Sequence, residues 1–140
     1  MEKDDGRCAF LAGLTQSMNA LSGGTVVRFG DVKLNVGGCY SGSSGKFTAS
    51  DDGLYVFSWT TLSDAGKDFT SVIVKNGNNI AENTVDSDSV SDAMTGSQTV
   101  VVELKKYDKV WLQVANTSAG KNILKSWDKA SSSAFCGFKL

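Results

Sequence analysis

Aromatic residues alternate with smaller residues near the middle of the chain. Tyr55, Phe57 and Trp59 fall at every second position, and this spacing places the three rings on one face of a β-strand. The opposite face is only partly apolar, because it carries Leu54, Val56, Ser58 and Thr60. The pattern predicts a long central strand over 54–62 that packs its rings inward.

Short apolar or β-branched runs, separated by polar turn signals, make up the rest of the chain. Further strands are predicted over 8–14, 25–29, 46–49, 98–105, 110–115 and in the closing segment 131–140. Asn76-Gly77 is a strong hairpin signal between two extended runs within 69–83. Polar loops are expected at 15–24, 63–68, 84–97 and 116–130.

No segment keeps a helical period, and about ten short strands with turns between them favour an all-β sandwich or barrel. A jelly roll suits this number and the expected pairing of the last strand with the first. At 140 residues the chain is expected to form one domain over 8–140, preceded by a tail over 1–7.

Composition and charge narrow the function classes. The net charge of −1 gives no basic face for nucleic acid, and no apolar run approaches the roughly 20 residues of a membrane helix. The segment MEKDDGR is no secretory signal, so an exported protein would have lost its signal. The chain contains no histidine, which removes Ser-His-Asp and Cys-His sites, and no carboxylate spacing suggests a two-acid mechanism. We therefore expect no enzyme.

The three cysteines allow at most one disulfide within the chain. Cys8 and Cys136 lie near opposite ends and could form it if the first and last strands are neighbours. The alternative is that all three cysteines are small buried hydrophobes. No Cys-x-x-Cys pattern suggests a zinc site.

Several motifs resemble, in order along the chain, those of the complement C1q globular-head family. The central signature is matched by Phe29, Asn35, Tyr40, Phe47, Gly53, Tyr55 and Phe57. Ala9-Phe10 with Ala12 resembles the family's first strand, Asp108–Val114 its Asp-x-Val-Trp-Leu-Gln-Val strand, and Phe135-x-Gly137-Phe138 its closing Phe-x-Gly-Phe. The sequence departs from the family at 50–52, at Trp59 and at Tyr107, which replaces a frequent glycine.

The resemblance implies a ten-stranded jelly roll of the kind shared with tumour necrosis factor-like proteins. It also implies a secreted homotrimer, although no Gly-X-Y repeat forms a collagen stem. Stand-alone members resemble lectins of innate immunity that recognise carbohydrate or microbial surfaces. Other members act as extracellular signalling ligands or matrix proteins, and this alternative stays open.

Candidate binding residues lie mainly in polar segments. Tyr107 and Trp127 are candidates for stacking on a ligand, although Trp127 could instead cap an edge of the core. Lys125, with Lys121 and Lys129, forms a local positive face that could meet anionic partners or could simply be solvated. By contrast, Phe29, Tyr55, Phe57 and Trp59 are expected to build the core and the trimer contacts.

Two further sites are expectations. The resemblance implies that Asp68 could bind calcium near a trimer axis, the alternative being a solvated residue at the start of a strand. The acidic stretch from Asp86 to Asp92 lacks the glycine and glutamate of a calcium loop and is expected to be solvated. Asn116-Thr117-Ser118 is a glycosylation sequon.

Overall fold

The computed structural model describes residues 6–63, 68–86, 92, 94–115, 121–123 and 133–140. All regular secondary structure among these residues is β-strand. The strands are β1 (Ala9–Gly13), β2 (Met18–Leu21), β3 (Asp31–Val36), β4 (Tyr40–Ser41), β5 (Lys46–Thr48), β6 (Gly53–Ser63), β7 (Asp68–Lys75), β8 (Asn78–Asp86), β9 (Met94–Leu104), β10 (Lys109–Val114), β11 (Lys121–Ile123) and β12 (Ala134–Lys139).

Ten of these strands form two antiparallel five-stranded sheets. The first sheet has the order β3-β1-β12-β6-β9, and the second has the order β4-β5-β10-β7-β8. Strands β2 and β11 form a separate two-stranded sheet. The chain passes repeatedly between the two large sheets, and its last strand pairs with its first. The prediction of an all-β, ten-stranded jelly roll is confirmed.

Strand β6 is the predicted central strand. Its register places β12 on one side and β9 on the other. The side chains of Tyr55, Phe57 and Trp59 are 0–1 % exposed, whereas the intervening Leu54 is 48 % exposed. Alternation along the strand therefore separates a buried face from an open face, as the sequence predicted.

The polar atoms of the buried aromatic residues have partners. Trp59 Nε1 donates to Ser71 Oγ at 2.8 Å, and the Tyr40 hydroxyl donates to the Phe29 carbonyl at 2.9 Å. Burial raises the pKa of Tyr40 to about 12, partly offset by that hydrogen bond. The rings can therefore fill the space between the sheets without leaving these donors unsatisfied.

The core also explains the closing Phe-x-Gly-Phe pattern. Gly137 lies opposite both Phe10 and Phe57 across the sheet. A Cβ atom at this position would approach Phe57 Cδ1 to 2.6 Å and Phe10 Cε1 to 3.0 Å. Only glycine leaves room for these two rings to pack over the strand.

The four rings expected to serve both core and trimer serve only the core. Phe29, Tyr55, Phe57 and Trp59 are 0–1 % exposed in a single chain. No surface of these side chains is left for a neighbouring subunit. The trimer part of that prediction is therefore wrong for these residues.

Several local assignments also differ from the sequence prediction. Residues 25–29 form no strand, although Val27 N donates to the Leu112 carbonyl and Val114 N donates to the Thr25 carbonyl, both at 2.8 Å. The segment thus lies beside β10, past the end of the short β5. Its β-branched residues suit this extended pairing. A strand forms instead at 31–36, where pairing with β1 stabilises the extended backbone despite the nearby glycines. The loops predicted over 15–24 and 116–130 contain β2 and β11, and the two ends of the loop predicted over 84–97 belong to β8 and β9.

The disulfide joins Cys8 to Cys39, with the Cα atoms 5.9 Å apart, and Cys136 is a free thiol. The expected Cys8–Cys136 bridge is wrong because the two side chains point to opposite faces of the first sheet. Cys8 is buried like Phe10, whereas Cys136 lies opposite the exposed Leu11. Side chains on neighbouring strands do not meet when they point to opposite faces of the sheet.

The expected division into a tail at 1–7 and a domain at 8–140 stays a prediction, since residues 1–5 lie outside the described part of the chain.

Replacing Cys8 and Cys39 together by alanine is expected to lower the free energy of unfolding by about 3–4 kcal/mol, because the bond restrains the unfolded chain. Urea unfolding would measure this change, with Cys136→Ala as the matched control that leaves the bond intact. Peptide mapping without reductant should recover Cys8 linked to Cys39. A peptide linked through Cys136 would contradict the assignment.

Candidate functional site

The outer surfaces of the two sheets differ in character. On the first sheet, one row of paired residues crosses all five strands and consists of Val36, Ala9, Phe138, Val56 and Val101. The next row begins with Leu34 and Leu11. Val101 is 62 % exposed and Phe138 is 45 % exposed. We call Leu11, Leu34, Val36, Val56, Val101 and Phe138 the apolar face.

The second sheet carries an open groove of about 430 Å³ on its outer side. Its walls come from β4, β5 and β10, from the turn before β10, and from the segments 37–39 and 49–50. We call it the Tyr107 groove, and its polar or aromatic lining residues are Tyr40, Ser41, Ser44, Lys46, Thr48, Ser50, Tyr107 and Lys109.

Tyr107 is held by a tight turn. Asp108 N donates to the Lys105 carbonyl at 2.9 Å, which closes the turn, and Tyr107 has a φ of 78°. This left-handed conformation is unfavourable for a residue with a Cβ atom, which explains why glycine is frequent here in the similar family. The side chain is nevertheless 72 % exposed.

Hydrogen bonds fix the turn from several sides. Tyr107 N donates to the Ala49 carbonyl at 2.9 Å, and Lys106 N donates to Asp52 Oδ1 at 2.8 Å. These bonds attach the turn to the segment between β5 and β6. The backbone that carries the exposed ring is therefore anchored to the body of the fold.

The Asn76-Gly77 hairpin supports the same turn. Asn76 Nδ2 donates to Asp108 Oδ1 at 3.0 Å, and Asn76 Oδ1 accepts from Lys109 N at 2.9 Å. Asp108 Oδ2 accepts from Lys105 N at 2.9 Å. The Lys105 N–H, and secondly the Asn76 amide, lower the pKa of Asp108 because they stabilise its ionised form.

The groove is lined by cations and by neutral groups. Lys109 Nζ donates to Thr48 Oγ1 at 2.8 Å, and Lys46 Nζ lies 4.3 Å from the centre of the Trp111 ring. Lys106 Nζ lies 5.3 Å from the centre of the Tyr107 ring. No aspartate or glutamate is among the lining residues within the described part of the chain. The groove can therefore attract a negatively charged group.

Of the residues predicted from sequence to bind a ligand, Tyr107 lies in the groove. Trp127, Lys125 and the sequon residue Asn116 lie outside the described residues. Sequence reasoning missed Lys46, Thr48 and Lys109. Their only signal was their outward position in alternating strands, and the pairing of β5 with β10 was needed to bring them together.

Asp68 is the first residue of β7 and lies opposite Asp86 of β8. Calcium requires about 6–8 oxygen ligands, so two facing carboxylates do not complete a site. Within the described ranges, no group of three or more acidic, cysteine or histidine residues could hold a metal ion. A calcium site at Asp68 would need oxygens from elsewhere, and the assignment stays a prediction.

The two five-stranded antiparallel sheets and their strand order define a domain of the jelly-roll class. The C1q domain family model matches residues 9–140, and the chain belongs to this family.

Curated relatives show the same relationship. Complement C1q tumor necrosis factor-related protein 2 of Mus musculus is 33 % identical over 88 residues, which cover 63 % of this chain and 29 % of that protein. Complement C1q tumor necrosis factor-related protein 3 of Mus musculus is 25 % identical over 132 residues, which cover 94 % of this chain and 50 % of that protein. The chain spans half or less of the length of these two relatives.

Solved structures share the fold. The globular domain of zebrafish complement 1qA protein superposes with a TM-score of 0.71 at 18 % identity, covering 97 % of this chain and 98 % of that domain. Murine APRIL superposes with a TM-score of 0.72 at 13 % identity, covering 96 % and 99 %. These similarities establish the jelly roll.

Replacing Tyr107 by glycine is expected to raise the free energy of unfolding by up to about 1 kcal/mol. The gain from relieving the strain of the left-handed backbone exceeds the cost of the greater conformational entropy that glycine gives the unfolded chain. Tyr107→Ala is the matched control: it also removes the ring but keeps the Cβ atom, so it should give no gain. Urea unfolding would compare the two variants. A glycine variant no more stable than the alanine variant would contradict the strained turn.

Proposed function

We propose that this chain is a secreted, homotrimeric recognition domain of innate immunity that binds carbohydrate or microbial surface patterns. The apolar face is the observation that carries the proposal. Six apolar side chains share one sheet surface, and Leu34, Leu11 and Val101 are 49 %, 42 % and 62 % exposed in the single chain. A contiguous apolar surface of this kind is typical of an interaction site.

A second copy of the same chain is the occupant that suits this surface. Domains of the C1q and tumour necrosis factor-like class form homotrimers, and this chain belongs to that class. Burying the apolar face between subunits would leave the Tyr107 groove on the outside, because it lies on the other sheet. Assembly and ligand binding would then use different surfaces.

The Cys8–Cys39 disulfide supports an extracellular location, because disulfides persist in oxidising compartments. The Asn116 sequon agrees with this location. Among the described residues, no helix is long and apolar enough to cross a membrane. The C1q and tumour necrosis factor-type domains are recognition or ligand proteins, which supports binding rather than catalysis.

A signalling ligand or matrix protein is the alternative function. The relatives carry the name C1q tumor necrosis factor-related protein, and APRIL shares the fold. Capture of one protein receptor at high affinity, together with silence on glycans and microbes, would favour this alternative.

Sedimentation equilibrium of the chain is expected to give a mass of about three times 14.8 kDa. Leu11→Glu should yield folded monomers, because Leu11 lies between Leu34 and Cys136 within the apolar face and a buried unpaired charge is costly. Ile80→Glu is the matched control, since Ile80 is similarly exposed at 40 % but belongs to the second sheet. A monomeric parent chain, or a trimer that withstands Leu11→Glu, would argue against this interface.

Glycan arrays and whole bacteria should bind the trimer and give a signal above that of a control without protein. Running each assay with calcium and with a chelator tests the further expectation at Asp68. Loss of binding on chelation, restored by calcium, would support a calcium-dependent site. Unchanged binding would contradict the expected calcium dependence. Failure to bind any glycan or microbe would count against the lectin-like function.

A further inference from the structure

We infer that the Tyr107 groove binds acidic carbohydrate, with the Tyr107 ring against the sugar and a carboxylate or sulfate group beside Lys46 and Lys109. The inference rests on the proposed function and narrows its ligand class. It places recognition on the outer surface of the second sheet.

The charge of the groove is the first support. Lys46 and Lys109 both line it, and the lining contains no carboxylate. Each ammonium has a neutral partner, the Trp111 ring for Lys46 and the Thr48 hydroxyl for Lys109. Such partners orient a cation without neutralising it, so each positive charge remains available to an anion.

The Tyr107 ring is the second support. A large aromatic side chain is 72 % exposed on a backbone with a φ of 78°. Strained conformations of this kind persist where neighbouring groups hold them, and they cluster at functional sites. The bonds to Ala49 and Asp52 hold this turn. The backbone that carries the ring is therefore fixed, and the electron-rich face of the ring suits the C–H groups of a sugar.

The hydroxyl groups of the groove are the third support. Ser41, Ser44 and Thr48 lie along the groove and can each donate and accept hydrogen bonds. The loop itself positions the serines: Ser41 Oγ accepts from Ser44 N at 3.3 Å, and Ser44 Oγ accepts from Lys46 N at 3.2 Å. A volume of about 430 Å³ suits a small ligand.

Three oligosaccharides of matched length test the inference by isothermal titration calorimetry: oligogalacturonate, which carries carboxylates, sulfated dextran, and neutral dextran. The trimer should bind one or both acidic probes more tightly than neutral dextran. Binding should weaken as salt rises from about 0.01 to 1 M, because exposed charges are screened. The response to each acidic probe distinguishes carboxylate from sulfate, and free acetate and sulfate ions control for the charge alone.

Two variants remove the cations. Lys46→Gln with Lys109→Gln should weaken binding of the acidic probe by about tenfold or more, since each lost charge-assisted contact is sizeable. Lys46→Arg with Lys109→Arg should retain binding. Lys33→Gln controls for the loss of a positive charge outside the groove, because Lys33 is 60 % exposed on β3 of the other sheet. Tyr107→Gly should also weaken binding while the trimer remains folded, and Tyr107→Phe should retain it.

The outcomes separate the two claims. Equal binding of neutral and acidic probes, or acidic binding unchanged by the lysine substitutions, overturns the groove assignment. If those variants still bind microbes or neutral glycans, the proposed lectin-like function survives this result. If the parent trimer binds no glycan and no microbe, the lectin-like function itself fails.

Discussion

Side-chain alternation along the paired strands β1, β12, β6 and β9 is the constraint on which the rest of the structure depends. In this register Phe10, Gly137 and Phe57 share the inner face, whereas Leu11 and Cys136 share the outer face. A shift by one residue would exchange the two faces. The same alternation therefore builds the aromatic core, exposes the apolar face and keeps Cys136 away from Cys8.

The Tyr107 groove depends on a different kind of constraint. Its backbone is set by hydrogen bonds to two separate segments, the connection between β5 and β6 with Ala49 and Asp52, and the hairpin with Asn76. These bonds hold a non-glycine residue in a conformation that its own preferences oppose. Because the groove and the apolar face lie on different sheets, a subunit could assemble and bind ligand at the same time.

The central strand and the fold class were predictable because period-two alternation and turn residues are local signals. Tyr55, Phe57 and Trp59 revealed their buried face directly, and Asn76-Gly77 revealed its hairpin. The role of 25–29 was mispredicted, because β propensity does not say whether a segment becomes a full strand or only borders one. Tyr107 was found as an aromatic among polar residues, whereas Lys46 and Lys109 are ordinary lysines until β5 pairs with β10.

By itself, the sequence determined the all-β class, the jelly-roll resemblance and the inward direction of the central rings. The all-β class and the inward rings follow from residue types at short spacing, where the geometry of one strand is sufficient, whereas the jelly roll is what the resemblance to the C1q family implies. Only the tertiary structure decided that Cys8 pairs with Cys39, that four predicted core-and-trimer rings belong wholly to the core, and that Tyr107 shares a groove with Lys46. These outcomes depend on which strands become neighbours and in what register, and such long-range pairings have no local signature in the chain.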